Sequence, residues 1–285
     1  MNAHPLIGVR ELAVALTGPD APVLLDASLI LHRPEFDGDH RTDSGLDTYL
    51  AGHLPGAIHV RADEDFSVPA DTHNRHPPPQ ELADSAARFG IGPRTPTVVY
   101  DSTGGFWAAR VWYLLRWIGV PVRVLDGGLA AWHAAGLAID TGTAVPEPVP
   151  QWHAAAERDA WIELDELREI HIRNGNLVCA LSAAAFSGAE PTRYSRRGHI
   201  PGSTNLPARA LLDARGMLRP PDEIAALYRE AGVDLTREVL LYCGGGISAT
   251  VNALGLTVAG VDRIRIYDGS LEEWSADPRL PLTAG

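Results

Sequence analysis

An internal repeat constrains the fold of this chain more than any other feature. Within its 285 residues, the segment AGHLPGA at residues 51–57 recurs as RGHIPGS at residues 197–203. Other blocks recur 142 residues later: PPQEL at 78–82, FGI at 89–91, VVY at 98–100 and LDGG at 125–128 match PPDEI, AGV, LLY and YDGS. Several blocks at one spacing are not expected by chance, so the sequence predicts two copies of one domain.

A proline-rich segment separates the two copies. Pro146, Pro148 and Pro150 alternate with other residues, a pattern that favours an extended and semi-rigid linker. We therefore predict an N-terminal domain at residues 1–145, a linker at 146–154 and a C-terminal domain at 155–285.

Each copy alternates between patterns typical of strands and of helices. Short apolar runs indicate buried strands at 23–25, 98–100, 122–125, 177–179, 239–242 and 264–267. Residues 81–89 and 223–231 have helical patterns. This alternation predicts an α/β fold, in which each domain is a parallel sheet with helices on both faces. Ligands bind at the carboxyl ends of the strands in such sheets.

The composition narrows the function. All 24 basic residues are arginine, so there is no lysine for Schiff-base or P-loop chemistry. The net charge of −12 argues against nucleic acid as a partner. Two cysteines, Cys179 and Cys243, are too few for a disulfide framework or a four-cysteine zinc site. The apolar runs are too short to span a membrane, and residues 1–10 lack a secretory signal. We expect a cytoplasmic protein that needs no cofactor and no metal.

The loop after the strand at 239–242 carries the strongest chemical signal. It reads Cys243, Gly244, Gly245, Gly246, Ile247, Ser248 and Ala249, and leads into a helix. A glycine-rich turn can direct backbone amides at the sulfur, and the helix N-terminus adds the positive end of its dipole. Both favour a thiolate and would hold an anion. We interpret Cys243 as a nucleophile; a buried, inert cysteine is the alternative, and Cys179 within its strand fits that description.

The first copy has Asp101 where the second has Cys243. A carboxylate cannot replace the nucleophilic sulfur, so we expect the N-terminal domain to be inactive. It would keep the fold and help to shape the cleft.

These motifs, with GHLPGA at 52–57, GHIPG at 198–202 and Trp132 after LDGG, resemble those of tandem-domain rhodanese-family sulfurtransferases. That family contains the thiosulfate and 3-mercaptopyruvate sulfurtransferases, and the resemblance covers nearly the whole chain. It implies two rhodanese-like domains and an enzyme that takes a sulfane sulfur onto Cys243 as a persulfide. The persulfide would pass to a thiophilic acceptor, such as cyanide, a small thiol or a thioredoxin-like protein, and the amides of residues 244–249 would stabilise it.

The loop composition bears on the sulfur donor. In the family, thiosulfate-using members place cations after the cysteine, whereas mercaptopyruvate-using members have an uncharged Cys-Gly-Ser-Gly loop. The loop here is uncharged, which favours 3-mercaptopyruvate over thiosulfate. It departs from that type at Gly245, which replaces the serine, and Ser248 is the remaining hydroxyl.

Other positions depart from the family pattern. Ala180 and Ser182 stand where an Asp-x-Arg motif is expected, and Ala185 replaces an arginine that helps to bind the substrate carboxylate. Arg193 falls where a second substrate-binding arginine is expected. Asp63 and His76 resemble an acid–base pair of mercaptopyruvate-type members, although their spacing is about two residues longer; a surface histidine in a proline-rich loop is the alternative for His76.

Three other functions are alternatives for these residues. A phosphatase of the Cys-x5-Arg kind needs an arginine where Ala249 stands, so this function is disfavoured. A persulfide carrier or sensor module with little donor turnover would account for the missing arginine. A third alternative is a protein that has lost its activity and keeps only a structural role. The first copy gives an example, since Asp101 stands at its cysteine position, but the retained Cys243 and its glycines argue against this role.

Overall fold

The computed structural model describes residues 4–156 and 158–285, except for the side chains of residues 171–174. The first half contains a five-stranded sheet with the order β1-β7-β6-β2-β5, in which all neighbouring strands are parallel. The strands of this half are β1 (Leu6–Ile7), β2 (Val23–Asp26), β3 (Ile30–Leu31), β4 (Thr42–Asp43), β5 (Ile58–His59), β6 (Thr97–Tyr100) and β7 (Val122–Leu125), where β3 and β4 form a separate antiparallel hairpin. The helices are α1 (Val9–Ala15), α2 (Leu46–Ala51), α3 (Pro79–Arg88), α4 (Phe106–Trp117) and α5 (Gly128–Ala134).

The second half repeats this arrangement, with the sheet order β8-β12-β11-β9-β10 and only parallel pairs. The strands are β8 (Trp161–Ile162), β9 (Leu177–Cys179), β10 (Thr204–Asn205), β11 (Val239–Tyr242) and β12 (Ile264–Tyr267). The helices are α6 (Leu164–Asn174), α7 (Ala183–Ser187), α8 (Pro221–Glu230), α9 (Ile247–Val258) and α10 (Ser270–Ala276), with a 3-10 turn at Ala208–Leu211.

Alternate residues of the central strands pack on opposite faces of each sheet, as the pleat of a strand requires. In β6, Val99 joins the core beneath α3 and α4, whereas Val98 joins residues of α1 and α5 on the other face. In β11, Leu241 packs with α8 and α9, and Leu240 with α6 and α10. Burial on both faces explains the continuous apolar runs, and the predicted α/β class with helices on both faces is confirmed.

The two halves meet through α4 and α9, the helices that follow the two central strands. Ten of the twelve residues of α4 are buried, and nine of the twelve of α9. A helix that is apolar on all sides must be covered on all sides. One hydrophobic core accordingly includes residues of both halves and of both helices.

The segment between α5 and β8 contains no helix or strand among its described residues. The predicted linker at 146–154 lies within it, and the domain bounds at 145 and 155 stay a prediction. None of the helices in the described part of the chain is long and apolar enough to cross a membrane.

Candidate active site

Cys243 follows β11 directly and lines a cavity of about 360 Å³ between the two halves. Its side chain and backbone are 1% exposed, so reagents reach the sulfur through this cavity. The first half contributes His40, Phe106 and Trp107 to the lining. The second half contributes Cys243, Arg193, Ser248 and Glu272, among others. The two sheets therefore place their carboxyl-terminal edges around one shared site.

The loop between Cys243 and α9 is held from both sides. The buried hydroxyl of Ser270 accepts a hydrogen bond from the Cys243 amide (3.1 Å), and the Cys243 carbonyl accepts one from the Leu271 amide (3.1 Å). Gly246 caps α9 with φ of 76°, in the left-handed region that favours glycine. A Cβ there would lie 2.6 Å from Asp268 Oδ1, so no other residue fits without displacing a neighbour.

The first half shows what the same turn does with an anion. The Asp101 carboxylate accepts four backbone hydrogen bonds: Oδ1 from the amides of Thr103 (2.8 Å) and Gly105 (2.8 Å), and Oδ2 from those of Trp107 (3.0 Å) and Ala108 (2.9 Å). The turn after a central strand is thus a cradle for negative charge at the N-terminus of the following helix.

The second cradle is one residue shorter. Asp101 precedes the cap of α4, Gly105, by four residues, whereas Cys243 precedes the cap of α9, Gly246, by three. Counted from the helix start, the amides that correspond to those of Gly105, Trp107 and Ala108 belong to Gly246, Ser248 and Ala249. These three lie within the loop that the sequence assigns to stabilising a thiolate or persulfide.

Arg193 lines the cavity and is incompletely paired. One of its terminal nitrogens donates to the carbonyl of His32, while its buried Nε has no hydrogen-bond partner. Burial lowers the pKa of Arg193. As a lining residue, Arg193 adds a guanidinium to the cavity wall, the kind of group that binds a carboxylate.

The positions that depart from the family pattern lie close by. Ser182 and Ala185 line the cavity, and Ala180 is buried next to β11, the strand that leads to Cys243. Ser182 caps α7 and donates to Glu190 (2.7 Å), so it is used locally. Arg209 also lines the cavity and lies over the ring of Phe106, 4.9 Å from its centroid. It adds a cation that the sequence reasoning did not identify.

Asp63 and His76 do not line this cavity. Both Asp63 oxygens bind the guanidinium of Arg61 (2.9 and 2.7 Å). The ring of His76 stacks on Trp161, with centroids 4.4 Å apart, and its backbone amide donates to Asp268 (2.8 Å). The structure therefore brings neither residue to Cys243, because each is held by partners outside the cavity.

His40 and Glu272 line the cavity, and His73 contacts both of them. Glu272 lines the cavity, and its carboxylate binds both the ring Nδ1 and the backbone amide of His73. The His73 ring stacks on that of His40, with centroids 3.7 Å apart and planes within 7°. Burial, followed by the nearby His73 and Arg193, lowers the pKa of His40 to about 4. His40 is therefore neutral at pH 7.

The sequence reasoning missed this group, although the repeat contains a signal for part of it. Glu272 stands where the first copy has Ala130, next to the aligned leucines at 129 and 271. A carboxylate that appears only in the copy with the cysteine is a candidate for the chemistry of that copy. His40 carries no comparable signal, since it comes from a loop outside the repeated blocks.

Comparisons with known proteins agree with this arrangement. The profile of the family described as "Rhodanese-like domain" matches residues 16–135 and 183–277. A probable 3-mercaptopyruvate sulfurtransferase of Pseudomonas aeruginosa is 33% identical over 296 residues, covering 100% of both chains. A putative thiosulfate sulfurtransferase of Mycobacterium tuberculosis, SseB, is 33% identical and covers 98% of this chain and 97% of its own. The crystal structure of SseA from Escherichia coli, described as a 3-mercaptopyruvate sulfotransferase, superposes with a TM-score of 0.80 at 30% identity, over 94% of this chain and 99% of SseA.

Proposed function

Since this chain belongs to the rhodanese-like family and is a sulfurtransferase, we propose that Cys243 carries the transferred sulfur as a persulfide and that 3-mercaptopyruvate is the donor. The observation that carries the proposal is the pair of matching turns. One binds a carboxylate through four backbone amides, and the other presents a cysteine to a cavity. A turn that holds an anion is suited to a thiolate and to the anionic outer sulfur of a persulfide.

The reaction has two halves. In the first, the Cys243 thiolate attacks the donor sulfur; the S–S bond of the persulfide forms, the donor C–S bond breaks with its electron pair on the donor carbon, and the proton of the donor thiol passes to that carbon. In the second, an acceptor thiolate or cyanide attacks the outer sulfur and the Cys243 thiolate leaves. The amides of Gly246, Ser248 and Ala249 support the negative charge that persists on sulfur throughout.

The charge of the site favours a donor that bears one carboxylate. No residue from 243 to 249 is cationic, so a dianion such as thiosulfate would have only backbone donors beside the cysteine. Arg193, which lines the cavity, would bind the carboxylate of 3-mercaptopyruvate. Ala185 removes a second contact of that kind. Arg33 and Arg209 also line the cavity, and since Arg33 is paired with Glu190, Arg209 is the better candidate to replace that contact.

The burial of Cys243 bears on the acceptor and on the alternative function. Cys243 is 1% exposed, so the cavity admits only small acceptors, such as small thiols or cyanide, to the sulfur. A thioredoxin-like acceptor would need the cavity to widen. A persulfide carrier with little donor turnover remains the second candidate, and the missing arginine at Ala185 favours it. Both functions need a reduced Cys243, and both cysteines are free, so we propose a reducing compartment such as the cytoplasm.

Intact-protein mass spectrometry tests the proposal. The wild-type protein is incubated with 3-mercaptopyruvate or with thiosulfate, and we expect a gain of one sulfur, faster with 3-mercaptopyruvate. Cys243→Ser should gain none, while Cys179→Ser, the matched control at the buried strand position, should gain sulfur as the wild type does. Sulfur on Cys243→Ser, or none on the wild type with either donor, would overturn the proposal. A persulfide that forms without multiple turnover would select the carrier function.

A further inference from the structure

The loop beside Cys243 lacks a side chain at Gly245, and a carboxylate fills that place. Glu272 Oε2 lies 3.2 Å from the position of a Cβ on Gly245. The Glu272 amide donates to the carbonyl of Gly244 (2.9 Å), so the residue is fixed to the loop through its backbone. The carboxylate therefore lines the cavity beside Gly245, which is two residues after Cys243.

The partner of this carboxylate comes from the other half of the molecule. His73 contacts Glu272 through its ring Nδ1 and, at 3.1 Å, through its backbone amide. The flat stack of His40 on His73 fixes the plane of the ring, because one face of the His73 imidazole is covered. The charged or titratable groups around His40 are His73, Arg193 and Asp63. A carboxylate next to a developing anion is unfavourable unless it is paired or protonated, and His73 provides that pairing.

We propose that Glu272 is the catalytic acid–base residue of sulfur transfer from a thiol donor, and that His73 is its positioning residue. This inference rests on the proposed function. The thiol of 3-mercaptopyruvate carries one proton on the sulfur that is transferred, and the leaving carbon needs one proton to become the methyl group of pyruvate. Glu272 takes the proton from the donor sulfur as Cys243 attacks, and returns it to the carbon that receives the electron pair of the broken C–S bond. No proton is gained or lost overall, so no further reactant is needed.

The same assignment predicts selectivity between donors. Thiosulfate transfers its outer sulfur and leaves as sulfite, and this step requires no proton on the leaving group. The Glu272 carboxylate therefore has no proton to transfer in the thiosulfate reaction, and it repels the two negative charges of thiosulfate. A protein with Glu272 should therefore favour donors that bear a proton on the transferred sulfur, and this preference should depend on one side chain.

Glu272→Gln tests the assignment, because it keeps the shape and removes the proton-carrying group. We expect kcat with 3-mercaptopyruvate to fall by about 100-fold or more, the usual loss for a missing acid–base group. The rate of persulfide formation from thiosulfate, followed by mass in a single turnover, should stay the same or rise. Thiosulfate serves as the internal control for folding, since its reaction uses the same cysteine and cradle.

Glu190→Gln is the matched charge control. Glu190 also lines the cavity but pairs with Arg33 (2.9 Å), not with His73. Its loss removes a negative charge from the cavity but no proton-carrying group beside Gly245, so kcat with 3-mercaptopyruvate should not show the large fall expected of Glu272→Gln. His73→Asn should lower kcat with 3-mercaptopyruvate without a matching rise in KM, and should shift the pH profile of kcat, while sparing thiosulfate.

The outcomes separate the inference from the proposed function. If Glu272→Gln slows the reactions with both donors equally, or slows neither, while the wild type forms its persulfide, the acid–base assignment is wrong and the proposed function stands. If the wild type forms no persulfide with either donor, the proposed function itself has failed. Should Glu272→Gln not fold, His73→Asn supplies the same contrast between the two donors, and equal effects on both would overturn the assignment.

Discussion

Asp101 and Cys243 show how one residue divides two copies of a fold into different roles. Both follow a central parallel strand and precede a helix. Asp101 satisfies four backbone amides with its own carboxylate, so the first turn is filled and has no capacity for an external anion. Cys243 fills less of the turn and offers a sulfur to which an atom can be added. At this scale, the difference is between a turn filled by a fixed carboxylate and a turn that leaves room for the sulfur Cys243 would accept.

Asp101→Asn should destabilise the protein without touching the catalytic half. The amide nitrogen of asparagine cannot accept a hydrogen bond, so two of the four buried amides lose their acceptor. Each unpaired buried donor costs about 1–3 kcal/mol, and we expect the free energy of unfolding to fall by about 2 kcal/mol or more. Urea unfolding of this variant is compared with that of Asp20→Asn, at an exposed position. Similar midpoints for the two variants would contradict the role given to the carboxylate.

The individual site residues differ in how well they could be predicted. Cys243 was predictable because its signal is local: a strand end, three glycines and a helix start within one short segment. His40 and His73 were not, because they come from loops outside the repeated blocks, and His73 meets Glu272 only when the two halves pack together. Asp63 and His76 were expected at the site from a loose alignment, and local partners hold them elsewhere.

At the scale of elements, the turn and the helix after it act as one unit. Gly105 caps α4 and Gly246 caps α9, both in the left-handed region, and the first amides of α4 donate to Asp101, the residue after the strand. The long central strands and amphipathic helices were predicted from their apolar patterns. The two-residue strands β1, β5, β8 and β10 were not, because two residues carry no period, and their pairing is set by the neighbouring strand.

Gly246→Ala should destabilise the protein more than the strain of an alanine in the left-handed region alone would. Gly260, in the turn after α9, is the matched control, since its φ is 81° and nothing lies within 4 Å of its Cβ position. Both substitutions incur the left-handed penalty of about 1–2 kcal/mol. At Gly246 the new Cβ also meets Asp268 Oδ1 at 2.6 Å and Arg110 Nη1 at 3.1 Å. We expect Gly246→Ala to have the lower thermal midpoint and to form persulfide more slowly, and equal midpoints would contradict this.

At the scale of the whole molecule, the active site depends on the interface between the halves. Arg110 on α4 binds Asp268, which follows β12, at 2.6 Å, and both side chains are almost completely buried. The same aspartate accepts the His76 amide, and the same arginine donates to the Asn74 carbonyl. The pair therefore ties α4 and the segment that bears His73 to the end of β12, near the loop cap at Gly246. Placing the two halves correctly is what completes the cavity.

Asp268→Asn should remove this tie and alter the acid stability of the protein. An arginine left buried without its counter-charge costs about 3–5 kcal/mol. Burial alone would raise the pKa of Asp268, but the charges of Arg110 and His76 outweigh it and hold the pKa below its ordinary value. The stabilisation by the pair is thus complete above the ordinary aspartate pKa of about 4, and it is lost as the pH falls below that value.

Urea midpoints measured from pH 7 to pH 3 separate this effect from that of His40. The pKa of His40 is lowered from 6.5 to about 4, so the unfolded chain binds that proton first and stability falls as the pH drops between those values. That decline should appear alike in the wild type and in Asp268→Asn. Below about pH 4 the wild type should lose stability more steeply than the variant, because only the wild type still has the Asp268 carboxylate to protonate. Parallel curves over this last interval would show that the buried pair does not hold the two halves together.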